Sequence, residues 1–363
     1  MGRRKAIFCD TILLGLRISA TMTPLDHTRV SALSAAFSKA RIAVVGDLML
    51  DRYTFGSVSR ISPEAPVPVL EIESEQARLG GAANVGHNIL GLGATPVMLG
   101  IVGDDTSGLI LKGIFTDLGF PLEGVVTDAT RPTTVKTRII AGSQQMLRMD
   151  HEMKREISSA TEDRLVGALQ SEIESLDGII LEDYNKGVMT GSLIHRVIAL
   201  GKQHGVPLLV DPKMHNFFEY QGATVFKPNR KEVEDALVTR LTSDEETNEA
   251  GLRLMERLNA ENVLLTLGEK GMMLFERIKN DGISNEPFSI PTMARTVADV
   301  SGAGDTVIAT LAVCMASGMS IRESAVIANR AAGLVIEELG IVPIYREQLV
   351  AALLEDLELS SNE

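Results

Sequence analysis

The segment Asp299-Val300-Ser301-Gly302-Ala303-Gly304-Asp305 sets a carboxylate directly behind two glycines, and the apolar run Thr306–Met315 begins at once. Glycine permits a tight turn and lets a ligand approach the backbone closely. The first N–H groups of a helix have no internal partner, so they point outward as an anion site. Asp305 would stand beside that site, within reach of a hydroxyl proton. An anion cradle with an adjacent base is what phosphoryl transfer to an alcohol requires. The plainer alternative is a glycine-rich helix start with Asp as a cap.

Polar groups close five other apolar runs: Gly46-Asp47, Asp183-Tyr184-Asn185-Lys186-Gly187, Asp211-Pro212-Lys213, Asn229-Arg230-Lys231-Glu232 and Thr266-Leu267-Gly268-Glu269-Lys270-Gly271. One such ending is ordinary turn chemistry, whereas five on one sheet edge make a site, because open α/β sheets bind ligands beyond the carboxyl ends of their strands. Gly80-Gly81-Ala82-Ala83-Asn84 opens a helix, and Asn84 can both donate to and accept from hydroxyls. Asn329 among Ala328, Ala331, Ala332 and Gly333 suits a flat adenine pocket, or else a polar spot in close helix packing.

These groups need elements to hold them. Short apolar runs alternate with helical ones. Strands are expected at Ile42–Val45, Thr95–Val102, Gly178–Leu181, Pro207–Val210, Thr224–Lys227 and Asn262–Leu267. Helices are expected at Ala82–Leu92, Leu109–Leu118, Ser192–His204, Ala250–Leu258, Thr306–Ser317 and Ile321–Leu339. Continuous apolar strands between amphipathic helices indicate a mostly parallel sheet covered on both faces, an α/β three-layer fold. Two segments break the rhythm. Tyr53–Leu79 carries Pro63, Pro66 and Pro68 and then an alternating run, and Thr133–Asp150 alternates through Val135, Thr137 and Ile139. Both are expected as antiparallel strands outside the main sheet. Residues 1–40 are read as an N-terminal extension, a peripheral helix or a disordered stretch, with Met22 an alternative start, and residues 41–357 as one domain.

The 363 residues are 45% hydrophobic, enough for a large core. A net charge of −13 excludes a general nucleic-acid or anionic-membrane binder, so an anionic substrate needs local basic groups. Cys9 and Cys314 form neither a disulfide framework nor a metal motif, which fits a cytoplasmic protein. The apolar stretch behind Gly2-Arg3-Arg4-Lys5 is interrupted by Asp10 and Arg17 and is too short to span a bilayer. The six histidines show no ligand spacing, and no Gly-x-x-x-x-Gly-Lys-Ser/Thr loop occurs.

Asp299–Asp305 resembles the C-terminal signature of the ribokinase-like (PfkB-type) sugar kinases, and Gly80–Asn84 resembles their N-terminal one. The resemblance implies a ribokinase-like αβα sandwich with a small β lid, near residues 52–80 and 131–150, that covers the sugar and often forms a homodimer contact. It implies ATP and Mg²⁺ as cofactors. Asp305 would be the base, with Gly302, Ala303 and Gly304 forming the anion hole. Asn229 and Glu232 match the motif that organises Mg²⁺ through water, and Mg²⁺ needs few carboxylates because it keeps its own waters. Thr266, Gly268 and Gly271 match the nucleotide-phosphate loop, which taken alone a β-turn explains equally well. Asn329 would lie at the adenine.

Asp47–Tyr53, Ser59–Pro68, Asp183-Tyr184-x-Lys186-Gly187 and Asp211-Pro212-Lys213 resemble the heptose-phosphate branch of that family. Its members phosphorylate the anomeric hydroxyl of D-glycero-D-manno-heptose 7-phosphate, on the path to ADP-heptose and the lipopolysaccharide inner core. The resemblance implies a sugar site of Asp47, Asp51, Gly80, Gly81, Asn84 and Asp183. Lys136, Arg138, Arg148 and Lys186 are positioned to gather around a distal phosphate, which Arg can bind bidentately, or else they are surface charge. Bifunctional relatives add a nucleotidyl-transfer domain with a His-x-Gly-His loop, a motif absent from this sequence. Other readings are a ketohexose-phosphate or adenosine-type kinase and a catalytically silent sugar sensor.

Overall fold

The computed structural model describes residues 26–278, 282–284, 286–293, 297–338 and 340–361. Strand β1 (Arg41–Gly46) sends Ile42 and Val44 into one hydrophobic cluster and Ala43 and Val45 into another, and all four are buried. Strand side chains alternate between faces, so a strand apolar on every position must be covered on both. Helices α1 (His27–Phe37), α2 (Ala82–Gly91), α3 (Thr106–Asp117), α8 (Ala303–Ala316), α9 (Ile321–Val335) and α10 (Arg346–Ser361) contribute to the first cluster. Helices α4 (Ser159–Glu172), α5 (Gly191–His204), α6 (Arg230–Leu237) and α7 (Asp244–Leu258) contribute to the second. The result is the expected three layers.

The main sheet has ten strands among the described residues. Seven pair in parallel, in the order β11 (Asn262–Thr266), β10 (Val225–Phe226), β9 (Leu208–Asp211), β8 (Gly178–Glu182), β1, β4 (Thr95–Val102), β5 (Val125–Thr127). Strands β12 (Met272–Ile278), β13 (Gly282–Ile283) and β14 (Phe288–Ile290) add antiparallel pairs at one edge. Chain order runs outward from β1 in one direction and from β8 in the other, so the topological switch lies between β1 and β8. Ligands bind at such a point. There Gly46 faces Glu182 so closely that a Cβ on it would lie 2.0 Å from the Glu182 carbonyl oxygen.

A second sheet of four strands forms the lid: β3 (Pro68–Gly81), β2 (Leu48–Ile61), β6 (Thr134–Ala141) and β7 (Gln144–His151). The two hairpins are antiparallel as expected, but β2 pairs with β6 in parallel. That corrects the all-antiparallel reading: β2 continues from the main-sheet strand β1, and β6 enters from β5 in the same direction. Helix α1 lies within the stretch read as a peripheral extension, yet Val30, Leu33 and Phe37 are buried in the first cluster. Residues 1–25 lie outside the described residues. Helix α9 ends at Val335 rather than running to 339. Helices α4, α6 and α10 are not among those expected from the sequence. No helix among the described residues is long and apolar enough to cross a membrane.

Candidate active site

Helix α8 starts where Gly302 adopts φ 82°, a left-handed conformation that glycine alone takes cheaply. Asp305 falls in the first turn and is 3% exposed. Asn84 Nδ2 donates to its Oδ2 at 2.7 Å, and the Tyr184 hydroxyl donates to its Oδ1 at 2.6 Å. Burial pushes the Asp305 carboxyl up, the Asn84 and Tyr184 hydrogen bonds oppose it, and Asp211 adds to it, leaving a value of about 6. Such a group is ionised at neutral pH and basic enough to take a proton in transit. The Ala303 N–H donates to Val300 O at 3.3 Å. That departs from the expected three-residue hole and leaves the amides of Gly304 and Asp305 as the first-turn donors.

Behind Asp305 lies a charged network on three adjacent strand ends. Glu182, Asp211 and Asp305 bring carboxylate oxygens within 4.8 Å of one another, all buried. Among the described residues neither Glu182 oxygen has a hydrogen-bond partner. Burial, then Asp211 and Asp305, drive the Glu182 carboxyl well above the usual range. Lys227 Nζ pairs with Asp211 Oδ2 at 2.6 Å, and Lys213 pairs with Glu232. The sequence reading quoted the segments of these residues but gave no role to Glu182, Tyr184, Asp211, Lys213 or Lys227. Only the strand register joins them, with Glu182 opposite both Gly46 and Asp211.

Two expected sugar ligands are engaged elsewhere. Asp47 accepts main-chain N–H bonds from Tyr184 (2.8 Å), Lys186 (3.1 Å) and Val188 (3.2 Å), so it fastens the loop that carries Tyr184. Asp183 accepts from the Asn185 N–H and the Tyr220 hydroxyl, and burial, with Asp47 next, raises its carboxyl to about 6. Gly81 has φ 56°, and a Cβ on it would lie 2.6 Å from the Asp47 carbonyl oxygen. A Cβ on Gly80 would lie 2.0 Å from Asp51 Oδ2.

On the other flank, Asn229 and Glu232 form a reciprocal capping box at the start of α6. The Glu232 N–H donates to Asn229 Oδ1 at 3.0 Å, and the Asn229 N–H donates to Glu232 Oε2 at 2.8 Å. Asn229 bridges to Thr266 across neighbouring strand ends. The Thr266–Gly271 turn has Gly268 and Gly271 at φ 62° and 87°. A Cβ on Gly271 would meet Ile290 O at 2.1 Å, and Asn329 Nδ2 donates to the adjoining Pro291 O at 2.8 Å. Asn229, Thr266, Gly268, Gly271 and Asn329 therefore line one continuous edge.

The lid supplies the basic groups. Register places Asp51, Tyr53, Lys136, Arg138, Arg148 and Arg78 on one of its faces. Arg138 pairs with Asp51, and Lys186 Nζ pairs with Glu152 Oε2 at 2.7 Å. Lys136 makes no salt bridge among the described residues, and its Nζ stands 5.1 Å from the Tyr184 ring centroid. Burial lowers its ammonium below the usual range, Asp51 opposes this, and Lys186 and Arg138 deepen it. Arg148 lies at the rim of this face: its side chain is 52% exposed and pairs with Asp150, which stands opposite Lys136 in register.

Residues 39–345 match the family described as pfkB family carbohydrate kinase. The chain belongs to the pfkB family of carbohydrate kinases. This kinase is 43% identical over 317 residues to the bifunctional protein HldE of Desulfatibacillum aliphaticivorans, covering 87% of this chain and 64% of that one. It is 42% identical over 321 residues to the protein of the same name from Caulobacter vibrioides, covering 88% and 64%. The chain thus spans 64% of the length of these two relatives. Its fold is that of Arabidopsis thaliana ribokinase complexed with ribose and ATP (TM-score 0.68, 22% identity, 86% of this chain and 98% of that one). Escherichia coli phosphofructokinase-2 in complex with substrates and products is similarly close (TM-score 0.70, 16% identity, 88% and 99%).

Proposed function

We propose that this kinase transfers the γ-phosphoryl group of ATP to the anomeric hydroxyl of D-glycero-D-manno-heptose 7-phosphate, giving the 1,7-bisphosphate used for inner-core heptose. The observation that carries this reading is the arrangement around Tyr184. Its hydroxyl donates to Asp305, and the Lys136 ammonium, without a salt bridge among the described residues, stands over its ring. A base for one end of a phosphosugar and a cation for the other are one tyrosine apart. The heptose-branch motifs at Ser59–Pro68, Asp183–Gly187 and Asp211–Lys213 support the same sugar.

In this reading Asp305 takes the hydroxyl proton while the Gly304 and Asp305 amides receive the moving phosphoryl oxygens. Asn84 and Tyr184 hold the carboxylate still. The nucleotide lies along Asn229, Thr266, Gly268, Gly271 and Asn329, and the phosphosugar lies under the lid, its distal phosphate near Lys136, Arg138 and Lys186. Exposed apolar side chains on the lid strands, among them Ile61, Ile72, Leu147 and Met149, support a homodimer through the lid.

Two oxygen sets bear on Mg²⁺. The Glu182–Asp211–Asp305 set has suitable donors but already holds the Lys227 ammonium. Glu232 with Asn229 is the second set: Glu232 likewise holds the Lys213 ammonium, but Mg²⁺ keeps several waters and would need only outer contacts from a carboxylate and an amide there. When bound there, Mg²⁺ would screen charge on the nucleotide phosphates. Glu232→Gln should therefore raise the Mg²⁺ concentration for half-maximal rate while leaving the sugar KM at saturating metal unchanged. An unshifted Mg²⁺ titration would leave Glu232 as a helix cap alone.

The raised Asp305 carboxyl sets a pH limb. Only the deprotonated form accepts the proton, so kcat/KM should rise through about pH 6 and level off above 7. At pH 5 the value should be roughly a tenth of the plateau. A profile flat from pH 5 to 8 would contradict the assignment. Incubation with ATP, Mg²⁺ and heptose 7-phosphate tests the reaction itself: ³¹P NMR should show a new phosphate coupled to the anomeric proton, and a new phosphate on any other carbon would refute it.

A further inference from the structure

Lys227 closes the short strand β10, and nothing above gives it a part in the reaction. Its side chain is 3% exposed. Burying an ammonium is costly unless it is paired. Here Nζ lies 2.6 Å from Asp211 Oδ2. The point that a Cβ on Gly304 would occupy is 3.6 Å from that Nζ and 3.6 Å from that Oδ2. The ammonium thus faces the first turn of α8, where the free amides lie.

Its surroundings carry a surplus of carboxylates. Glu182, Asp211 and Asp305 crowd within 4.8 Å, and among the described residues the Glu182 oxygens have no hydrogen-bond partner. Burial works against charge on Lys227, yet Asp211 first, and then Glu182 and Glu232, hold its ammonium above the usual lysine range. Lys213 is 3.9 Å from Asp211 and is drawn to Glu232 instead. A phosphoryl group arriving at Gly304 adds negative charge to a centre already rich in it. If Lys227 only neutralised Asp211, the pair could lie anywhere in the core. Its place against the helix start says more.

We infer that the Lys227 ammonium contacts the phosphoryl group in transit and offsets the negative charge that Asp211 and Asp305 concentrate around it, making Lys227 a further catalytic residue. This rests on the reading of Asp305 as the base. In-line transfer then breaks the bond from the γ-phosphorus to the bridging oxygen, which leaves with ADP. A bond forms from the sugar oxygen to that phosphorus, the hydroxyl proton passes to Asp305, and Lys227 stays protonated throughout.

The test compares Lys227→Met, Lys227→Arg, the double variant Lys227→Met/Asp211→Asn and Asp305→Asn. The double variant removes the buried carboxylate that the single change would leave unpaired, so it reports on chemistry even where Lys227→Met fails to fold. It should melt near the wild-type temperature and lose at least about 100-fold in kcat, as for one lost oxyanion donor. Its affinity for ADP and its sugar KM should stay within a few-fold of wild type. It should lose the extra affinity for ADP–aluminium fluoride, a mimic of the phosphoryl group in transit, and Lys227→Arg should retain part of both. A double variant with kcat within a few-fold of wild type, or with ADP and ADP–aluminium fluoride weakened equally, overturns the inference. If Asp305→Asn is inactive beside such an active double variant, Lys227 alone is misassigned. If Asp305→Asn is active, the base assignment falls, and this inference with it.

Discussion

Asp305→Asn should lower kcat by on the order of 10²–10⁴ while sugar binding stays nearly unchanged. Asn keeps the shape of the side chain but cannot take a proton. The geometry makes the effect specific. Asp305 is held by two donors, Asn84 Nδ2 and the Tyr184 hydroxyl, at 2.7 and 2.6 Å, and it sits in the first turn of α8 beside the phosphoryl-facing amides. A mere helix-start carboxylate at this position would leave turnover nearly unchanged, because Asn serves a helix start about as well as Asp. Single-turnover rates separate the two. A variant keeping more than about half of wild-type kcat, against the expected loss of at least 10², would remove Asp305 from the base role.

Lys136→Ala should cost the phosphosugar about 1.5–3 kcal/mol in kcat/KM, or about 10- to 150-fold, the size of one charge-assisted contact. The unphosphorylated heptose should scarcely change, since it has nothing at that position to lose. ATP affinity should also hold, because the edge at Asn229 and Thr266 proposed for the nucleotide belongs to strand ends away from the lid. Lys136 is a cleaner probe than Arg138 or Lys186. Arg138→Ala strands Asp51, which is 2% exposed, and Lys186→Ala strands Glu152, so either change mixes lost binding with an unpaired carboxylate. Steady-state kinetics with both sugars is the check. Equal losses on both would turn the lid cations into structural groups and favour a plain-sugar kinase.

The Gly302–Asp305 turn, the strand-end polar groups and the β lid were legible because each leaves a local mark: paired glycines before an apolar run, an apolar run ending in charge, alternation with prolines. What was not legible depends on register. Glu182 reads as one acid after an apolar strand until β8 pairs with both β1 and β9 and sets it opposite Gly46 and Asp211. Lys227 and Tyr184 become site residues only through the same lateral order. Asp47 shows the converse. Its position at a switch-point strand end was correct, but its carboxylate accepts three N–H groups of the loop from strand β8, a contact 137 residues or more away in sequence. Arg138 and Arg148 are opposite each other across two strands, yet only Arg138 faces a buried carboxylate. Lid pairing was misread for a related reason. Alternation gives the period of a strand and is silent on the direction of its neighbour.

The most direct measurement of the central claim is kcat/KM with ATP across a panel of heptose 7-phosphate, unphosphorylated heptose, fructose 6-phosphate and ribose. On the proposed reading, Lys136 near the Tyr184 ring serves the phosphate at one end of the substrate, and Asp305 at its hydroxyl serves the reactive hydroxyl at the other. Heptose 7-phosphate should exceed the unphosphorylated heptose by about 10-fold or more, the worth of at least one charge-assisted phosphate contact, and should also exceed the shorter sugars. Ribose or plain heptose turned over as well as the 7-phosphate would contradict the account.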